Sequence, residues 1–522
     1  MKLVTVDQMR ALEKEADSHG LSYTQMMLNA GRGLAQLIID RFQDCDNKTI
    51  LGLVGSGNNG GDTLVALTEL AQKGWKPTAY LIKPRENGNK RLKEFQDAGG
   101  KVISAQKDTG FKKLKRLLSK STILLDGVLG TGIRLPLDAQ VAEILKLAAD
   151  FQLRPFTIAV DCPSGVDCAS GDAARECIPA DLTVCMAAVK TGLLRFPAFN
   201  FVGDLETVEI SLSPDLTAWG NTSNQVIDSQ LVASLLPLRP LDAHKGSFGT
   251  AMLVAGSVNY PGAALLAGRA AYRMGVGLLR IAIPEPLYAP LVGQLPEATW
   301  LVLPHSNGAV NGDAAEIVKQ NLKKVTALLL GPGWGTADTT CNFLKNLLSE
   351  NNHSNLMEDL NLPPLVVDAD GLRFLAQIPD WHTLLPESSV LTPHPGEMAA
   401  LCGLEIETIQ KDRLEIARKF AMQWGQVLVL KGALTVIASP RGQVMVVPLA
   451  TPALARAGTG DVLAGMVTGL LAQGLSGFQS AVCAAWIHAR AGILAAQWLG
   501  SPASVLALDV IEAIPQVLNT LE

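Results

Sequence analysis

A glycine-rich turn near the C-terminal end carries an aspartate into the start of an apolar helix. The turn reads Gly458-Thr459-Gly460-Asp461 and runs directly into the apolar stretch 462–471. Glycines let bare backbone N–H groups approach an anion, and a helix N-terminus adds partial positive charge. A carboxylate in that first turn can take a proton from an attacking hydroxyl group. The pattern indicates phosphoryl transfer with Asp461 as the base, with ordinary helix capping as the alternative.

A second glycine-rich loop lies near the other end of the chain. Residues 55–62 read Gly-Ser-Gly-Asn-Asn-Gly-Gly-Asp, follow an apolar segment and open a helical pattern. This is the context of a phosphate or dinucleotide loop. The asparagines also offer oxygen ligands, so Asn59, Asp126 and Ser164 can form an oxygen cage for a monovalent cation. Three unrelated turn residues are the alternative.

Two further residues suggest chemistry from their position. Asp161 ends a predicted buried strand, where burial would raise its pKa toward that of a useful base; a turn-capping role is the competing interpretation. His394 lies between two prolines on a loop, which favours substrate binding over core packing, with a plain surface histidine as the alternative. The second half also offers groups that could bind a phosphoryl donor. Lys431 supplies an ammonium, Gly432 and Gly460 supply bare amides, and Thr435 supplies a hydroxyl.

The composition predicts a folded chain of several domains. Of 522 residues, 48% are apolar and 18% are charged, far from the composition of disordered chains. The net charge of −5 argues against nucleic-acid and anionic-membrane partners. Eight irregularly spaced cysteines without a Cys-x-x-Cys pair indicate neither a zinc site nor a disulfide framework. No secretory signal and no apolar run of the roughly 18 residues that a membrane helix needs are visible, so we expect a cytoplasmic protein.

Short apolar runs alternate with amphipathic segments in both halves, which predicts parallel sheets wrapped by helices. In such sheets ligands bind beyond the carboxyl ends of the strands, where the Gly55 loop, Asp126 and Asp161 all fall. A polar stretch of little periodicity, residues 211–225, predicts the connection between two domains. The predicted strands are 49–54, 78–82, 123–126, 157–161, 250–254, 278–283, 327–330, 365–368, 390–392, 427–430, 434–438 and 444–447.

The first half resembles the NAD(P)H-hydrate epimerase domain from residue 1 to about 215. The motifs that carry this resemblance are Met9, Glu13 and Ala16, Asn29-Ala30-Gly31, Asn58-Asn59-Gly60-Gly61-Asp62, residues 126–132 and Asp161-Cys162-Pro163-Ser164-Gly165. It implies a Rossmann-like three-layer α/β/α fold with potassium held by Asn59, Asp126 and Ser164, and with Asp161 as catalytic residue. The implied contacts to the hydrated nucleotides NADHX and NADPHX are Asn58, Asn59, Gly60, Gly61, Asp62, Gly130, Thr131, Gly132, Ile133, Arg134, Leu135, Pro136 and Asp161. The chain departs from the family pattern at Leu28 and Thr63.

The second half resembles the ADP/ATP-dependent NAD(P)H-hydrate dehydratase domain, a ribokinase-like α/β fold, over 225–522, with a linker at 216–224. Its ordered motifs are residues 244–249, 260–264, 331–335, 368–370, 392–397, 431–435 and 458–461. The resemblance implies substrate contacts at Ala264, Gly333, His394 and Asp461, and magnesium bound with ADP or ATP. The implied nucleotide contacts are Lys431, Gly432, Ala433, Leu434, Thr435 and Gly460. We also expect a homo-oligomer.

Two alternatives remain open from the sequence. The second half can be a small-molecule kinase, because a ribokinase-like fold with Gly-x-Gly-Asp also serves stable phosphorylation. The first half can be a ligand-binding module without catalysis, against which Asp161 and the intact cation set argue. We favour a bifunctional enzyme that epimerises the R and S hydrates and then dehydrates the S form.

Overall fold

The computed structural model describes residues 1–85, 89–220, 222–349 and 362–521. The chain divides into two compact units, Met1–Val226 and Ile227–Glu522. Each alternates strands with helices, so the predicted α/β class is confirmed. Among the described residues, no helix combines the length and the apolar character of a membrane span.

The first unit contains a seven-stranded sheet in which every neighbouring pair is parallel. The strands of this unit, seven of which form the sheet, are β1 (Leu3–Val4), β2 (Thr49–Val54), β3 (Lys76–Leu81), β4 (Lys101–Ser104), β5 (Ile123–Gly127), β6 (Phe156–Val160), β7 (Leu182–Met186), β8 (Val189–Lys190), β9 (Asp204–Val208) and β10 (Asn224–Val226). Its helices are α1 (Val6–Ser18), α2 (Tyr23–Arg41), α3 (Asn58–Gln72), α4 (Lys90–Asp97), α5 (Lys112–Leu118), α6 (Ala139–Ala149) and α7 (Thr217–Gly220). The order β4-β3-β2-β5-β6-β7-β9 places β2 and β5 at the centre.

Helices cover both faces of this sheet because its strands are apolar on both sides. Ile50 and Val54 of β2 pack into one core with α1, α2 and α3, whereas Leu51 and Leu53 pack into another with α5 and α6. The three layers follow from this alternation. The segment predicted as a connection contributes α7, whose first backbone N–H, on Thr217, donates to Glu15 Oε1 at 2.8 Å.

The second unit holds a larger, mixed sheet. Its helices are α8 (Ser229–Leu235), α9 (Gly262–Arg273), α10 (Tyr288–Leu291), α11 (Ala314–Gln320), α12 (Asp338–Leu348), α13 (Asp370–Leu375), α14 (Pro395–Cys402), α15 (Ile406–Lys411), α16 (Arg413–Trp424), α17 (Thr459–Ala472), α18 (Gly477–Leu499) and α19 (Ala507–Asn519). Its strands are β11 (Thr250–Val254), β12 (Leu278–Pro284), β13 (Thr299–Leu303), β14 (His305–Ser306), β15 (Ala309–Val310), β16 (Ala327–Leu330), β17 (Leu365–Val367), β18 (Val390–Leu391), β19 (Val427–Leu430), β20 (Val436–Ala438) and β21 (Val444–Val446). The order β21-β20-β19-β18-β17-β16-β11-β12-β13 is parallel except at β20 and β21.

Helix α17 packs very closely against α9 through two glycines. A Cβ atom on Gly465 would lie 2.2 Å from the Ala267 carbonyl oxygen, and one on Gly469 would lie 2.8 Å from that of Ala271. Both distances are shorter than those at which real Cβ atoms are found. The two helix backbones therefore meet directly, and the start of α17, with Asp461, is fixed by this contact.

Candidate functional sites

The three residues of the predicted cation cage lie together in the first unit. Ser164 Oγ donates to Asp126 Oδ1 at 2.5 Å and accepts from the Leu129 N–H at 2.9 Å. Asn59 Nδ2 donates to the Leu129 carbonyl at 2.8 Å. The loops after β5 and β6 and the start of α3 thus converge on one point.

The residues of this cage fit a monovalent cation. Asn59 Oδ1 is buried and has no hydrogen-bond partner among the described residues, as expected of an oxygen that awaits a ligand. Asp126 is fully buried, and this burial raises its pKa, so a nearby cation would stabilise its charged form. Thr63, a departure from the family pattern, donates to the Asn59 carbonyl at 2.8 Å and supports the same turn.

Asp161 lies just beyond the end of β6 and pairs with a buried lysine. Its backbone has a φ of +65°, which is uncommon for a residue other than glycine and typical of functional sites. Its Oδ1 accepts hydrogen bonds from Lys190 Nζ and, at 2.9 Å, from the Met186 N–H. Lys190 is only 1% exposed and also donates to the Met186 carbonyl at 3.2 Å. The pair places a carboxyl group and an ammonium in direct contact at the carboxyl ends of the strands.

Two more carboxyl groups face this pair. Burial, with the charges of Asp161 and Glu13, raises the pKa of Asp62 well above its ordinary value. Burial also raises the pKa of Glu13, with Lys190 acting in the opposite direction. Burial thus favours the protonated form of Asp62, and Asp161 is close enough for its charge to act on it, so the two carboxyl groups are candidates for proton transfer.

A cavity of about 470 Å³ joins these groups. Of the predicted substrate contacts, its lining includes Asn58, Asn59, Asp62, Gly130, Thr131, Gly132, Ile133 and Asp161. Gly60 and Gly61 lie outside the lining; side chains there would collide with Gly55 O at 2.2 Å and with Met27 at 2.7 Å, so both glycines serve close packing. Arg134, Leu135 and Pro136 are exposed beside the cavity.

In the second unit, a half-buried lysine lies among carboxylates, with its side chain 17% exposed. Lys431 Nζ donates to Asp368 Oδ1 at 2.6 Å and lies 3.7 Å from Glu397 Oε2. Thr392 Oγ1 donates to the same Asp368 oxygen at 2.6 Å. Asp368 Oδ2 is buried and has no hydrogen-bond partner among the described residues, so it is free for a ligand.

Asp461 occupies the first turn of α17, after Gly458 with its φ of +88°. Burial and the neighbouring carboxylate Asp368 raise the pKa of Asp461 to about 7, although Lys431 opposes the shift. Its carboxyl group thus titrates near neutral pH. A carboxylate with this pKa is matched to general-base catalysis.

His394 lies immediately before α14, and its ring contacts the first turn of that helix. Its Nδ1 accepts from the Gly396 N–H at 3.0 Å, and its Nε2 lies 3.3 Å from Glu397 Oε1. Burial and Lys431 lower the pKa of His394, so the neutral ring carries its proton on Nε2. Burial raises the pKa of Glu397 to about 7. The side chain of His394 remains 56% exposed, which leaves the ring accessible.

The predicted nucleotide loop follows β19. Gly432 and Ala433 are exposed, Leu434 is buried, and Thr435 Oγ1 donates to the Gly432 carbonyl at 2.8 Å. A Cβ on Gly460 would lie 3.6 Å from Lys431 Nζ, so the loop and the start of α17 are neighbours. Of the other predicted contacts, Gly333 has a φ of +67°, and Ala264 is fully buried.

Sequence reasoning assigned no role to Lys190, Glu13 or Asp368. For Lys190 the sequence did contain a signal, because it is the charged residue of the apolar stretch 182–194. In such a stretch a charged side chain has no polar face on which to reach solvent. The charges of Glu13 and Asp368 become informative only through their neighbours. Within the described residues, no group of three or more histidine, cysteine, aspartate or glutamate side chains is arranged to hold a metal.

Comparison with known proteins divides the chain in the same way. The family model described as YjeF-related protein N-terminus matches residues 23–192, and that described as NAD(P)H-hydrate dehydratase matches 251–516. A bifunctional NAD(P)H-hydrate repair enzyme of Moorella thermoacetica is 36% identical over 100% of this chain and 97% of its own length. One from Salinibacter ruber is 33% identical over 99% and 96%. A crystal structure of the ADP/ATP-dependent NAD(P)H-hydrate dehydratase of Bacillus subtilis, co-crystallised with ATP and Mg²⁺, is 32% identical and covers 57% of this chain and 99% of its own, with a TM-score of 0.48.

Proposed function

Because the chain belongs to the family of bifunctional NAD(P)H-hydrate repair enzymes, we propose that its two units carry the two reactions of nicotinamide nucleotide repair. The enzyme epimerises the R and S hydrates of NADH and NADPH and dehydrates the S hydrate in a reaction that depends on ADP or ATP. The observation that carries this function is the match of one family model to each unit, along a chain aligned over its whole length.

Epimerisation takes place in the cavity of the first unit, with Asp161 as the proton-transferring residue. Lys190 orients the Asp161 carboxyl group through a hydrogen bond, and Asp62, whose pKa is raised by burial, lies nearby. Together they support transfer of a proton to and from the hydroxyl group while a bond to the carbon that bears it breaks and re-forms with the opposite configuration. Asn58, Gly130, Thr131, Gly132 and Ile133 bind the nucleotide.

Potassium is held by Asn59, Asp126 and Ser164. The free Asn59 Oδ1 supports this assignment, since a monovalent cation requires several oxygens and little charge. The ion would fix the loops that carry Asn58 and Gly130, and so the shape of the cavity. It supplies structure and local charge, whereas proton transfer is left to Asp161.

Dehydration takes place in the second unit, with Asp461 as the base. Asp461 takes the proton of the substrate hydroxyl, whose oxygen attacks the terminal phosphate of the nucleotide. The bond from this phosphate to the bridging oxygen breaks, and AMP leaves from ADP, or ADP from ATP. The C–O bond then breaks, phosphate leaves, and loss of the proton on the neighbouring carbon restores the dihydronicotinamide ring. Lys431, Gly432, Ala433, Leu434, Thr435 and Gly460 bind the nucleotide, and Gly333 and His394 bind the hydrate, whereas the predicted contact Ala264 is fully buried and lies behind the site surface.

Magnesium enters this site with the nucleotide. Its ligands would be phosphate oxygens and Asp368 Oδ2, the buried carboxylate oxygen that accepts no hydrogen bond from the described residues. The ion would supply positive charge to the transferring phosphate. We further propose a homo-oligomer located in the cytoplasm, for which light scattering above the chain mass of 55.3 kDa and cell fractionation are direct tests.

One assay tests the proposed function. The protein is incubated with mixed R and S hydrates and with ADP or ATP separately, while dihydronicotinamide absorbance and free phosphate are followed. We expect equal amounts of both products and consumption of both epimers. A stable phosphorylated metabolite without NADH would instead indicate a kinase, and consumption of the S hydrate alone would indicate a first unit without epimerase activity.

A further inference from the structure

Arg413 lies directly beneath the loop after β19. It is the first residue of α16, and its Nη2 donates to the carbonyl oxygens of Leu430 at 2.8 Å and Lys431 at 3.3 Å. Its Nη1 donates to Gln410 Oε1 at 2.8 Å. The guanidinium thus ties the last residue of the strand to the first residue of the loop.

The charge of Arg413 is not neutralised by the protein. In the part of the chain that the structure describes, no carboxylate pairs with it, its Nε is buried without an acceptor, and burial alone lowers its pKa to about 10. Lys431 differs, because Asp368 and Glu397 compensate its charge. A partly buried cation without a counter-ion is costly, so its retention requires an explanation.

Gly432 brings this charge next to the exposed part of the loop. Gly432 has a φ of +143°, a conformation that glycine adopts readily. A Cβ atom at this position would lie 3.2 Å from Nη2 and 3.3 Å from Nη1 of Arg413. Because no side chain intervenes, an anion on Gly432 and Ala433 would be close to the guanidinium. A phosphate chain placed there would supply the missing counter-charge.

We propose that Arg413 is a positioning residue for the nucleotide, which holds the Leu430 and Lys431 carbonyls in place and acts as the counter-charge to the phosphate chain of ADP or ATP. This inference rests on the proposed nucleotide site at residues 431–435. The tether and the charge are two separable contributions. The tether orients the loop, and the charge attracts phosphate.

The variants R413Q and R413K separate these contributions. Glutamine retains an amide donor for the carbonyls without charge, whereas lysine retains charge without the planar fork. R418Q is the matched control, because Arg418 lies on the same helix, pairs with Glu415 and donates to the Gly442 carbonyl. ADP binding is measured by calorimetry on the full chain at low and high salt, with epimerase rate and Tm as measures of folding.

We expect R413Q to weaken ADP binding on the order of tenfold, the usual effect of losing a charge-assisted contact, and to reduce the salt dependence of Kd. R413K keeps the salt dependence, and R418Q changes neither quantity. An unchanged Kd and salt dependence in folded R413Q would overturn the proposal. K431Q is measured in parallel: if it too leaves ADP binding intact, the nucleotide site itself is misplaced, whereas its loss beside an unaffected R413Q refutes only the role of Arg413.

Discussion

The two units build their sites from the same parts but connect them differently. Each has a lysine among carboxylates and an arginine that binds loop carbonyls, Arg85 on Gly55 and Gly57 and Arg413 on Leu430 and Lys431. In the first unit the lysine pairs with Asp161, the proposed catalytic residue itself. In the second unit the lysine pairs with Asp368 and not with Asp461, the proposed base.

This difference sets the charge of each proposed catalytic group. Asp161 has its own counter-ion in Lys190, while burial raises the pKa of the nearby Asp62. Burial and the neighbouring Asp368 raise the pKa of Asp461 to about 7, because Lys431 opposes them only in part. A pair of fixed charges suits a reversible reaction between two epimers, and a group that titrates at neutral pH suits a base that must accept a proton and release it in each turnover.

The largest expected effect follows from removing the titrating base. D461N preserves size and capping ability, so we expect dehydration to fall by about 10² to 10⁴-fold, the magnitude of general-base catalysis. Epimerisation is expected to remain nearly unchanged. Both rates are measured on one preparation, with D338N as the control, since Asp338 is an exposed aspartate in the first turn of α12. Retained dehydration would contradict the role of Asp461, and loss of both activities in folded protein would contradict two independent sites.

Replacing the paired carboxylate is expected to affect both rate and stability. D161N should slow interconversion of the hydrates by about 10²-fold. It also leaves the ammonium of Lys190 buried without its counter-ion, which should cost about 3 kcal/mol of unfolding free energy. Epimer ratios and urea denaturation measure the two effects. The double variant D161N/K190M should recover stability without recovering activity, and a D161N protein with the wild-type epimerisation rate would show the assignment to be wrong.

The pH dependence of dehydration distinguishes a titrating base from a fixed ion. Because the pKa of Asp461 is raised to about 7, its active carboxylate is lost as pH falls below that value. We expect kcat/KM to decrease about tenfold per pH unit below 7 and to level off above it. The same raised pKa makes the folded state less stable as pH rises from the ordinary aspartate value through 7, and D461N should remove this loss. A flat profile between pH 5 and 8 would contradict the buried environment of Asp461.

The smallest expected effect concerns the cation. Replacing potassium by lithium should reduce epimerisation by a factor of about ten or less, and dehydration should not change, because the ion fixes loops and does not transfer a proton. S164A should abolish the difference between the two salts. S170A, in the same loop region but hydrogen-bonded to Asp172, serves as the control. Equal epimerisation rates in both salts for the wild type would remove the potassium assignment.

Much of the fold was accessible from the sequence because its strands are continuous apolar runs. The strands Thr49–Val54, Thr250–Val254, Ala327–Leu330 and Val427–Leu430 have the predicted bounds. The strand predicted to include Asp161 ends instead at Val160, since the positive φ of Asp161 breaks the extended backbone. The strands predicted to start at Leu434 and to end at Val447 are likewise shorter by one or two residues.

The sites were accessible only in part. Glycine loops and strand-end carboxylates are visible as local patterns, and so Asn59, Asp126, Ser164, Asp161 and Asp461 could be named. The partners of these groups come from distant segments: Lys190 lies 29 residues from Asp161, and Lys431 lies 63 from Asp368. No spacing rule connects such residues, because the pairing depends on which strand ends become neighbours in the sheet.

The direct contact of α17 with α9 has a consequence for how the enzyme accommodates two nucleotides of different length. Gly465 and Gly469 leave α17 no room to slide, so Asp461 is a stationary reference point. Gly432 and Ala433 are exposed, and Arg413 binds only the carbonyls of the two residues before them, Leu430 and Lys431. We therefore expect the loop to move to make room for the additional phosphate of ATP, while the reacting phosphate keeps its position relative to Asp461.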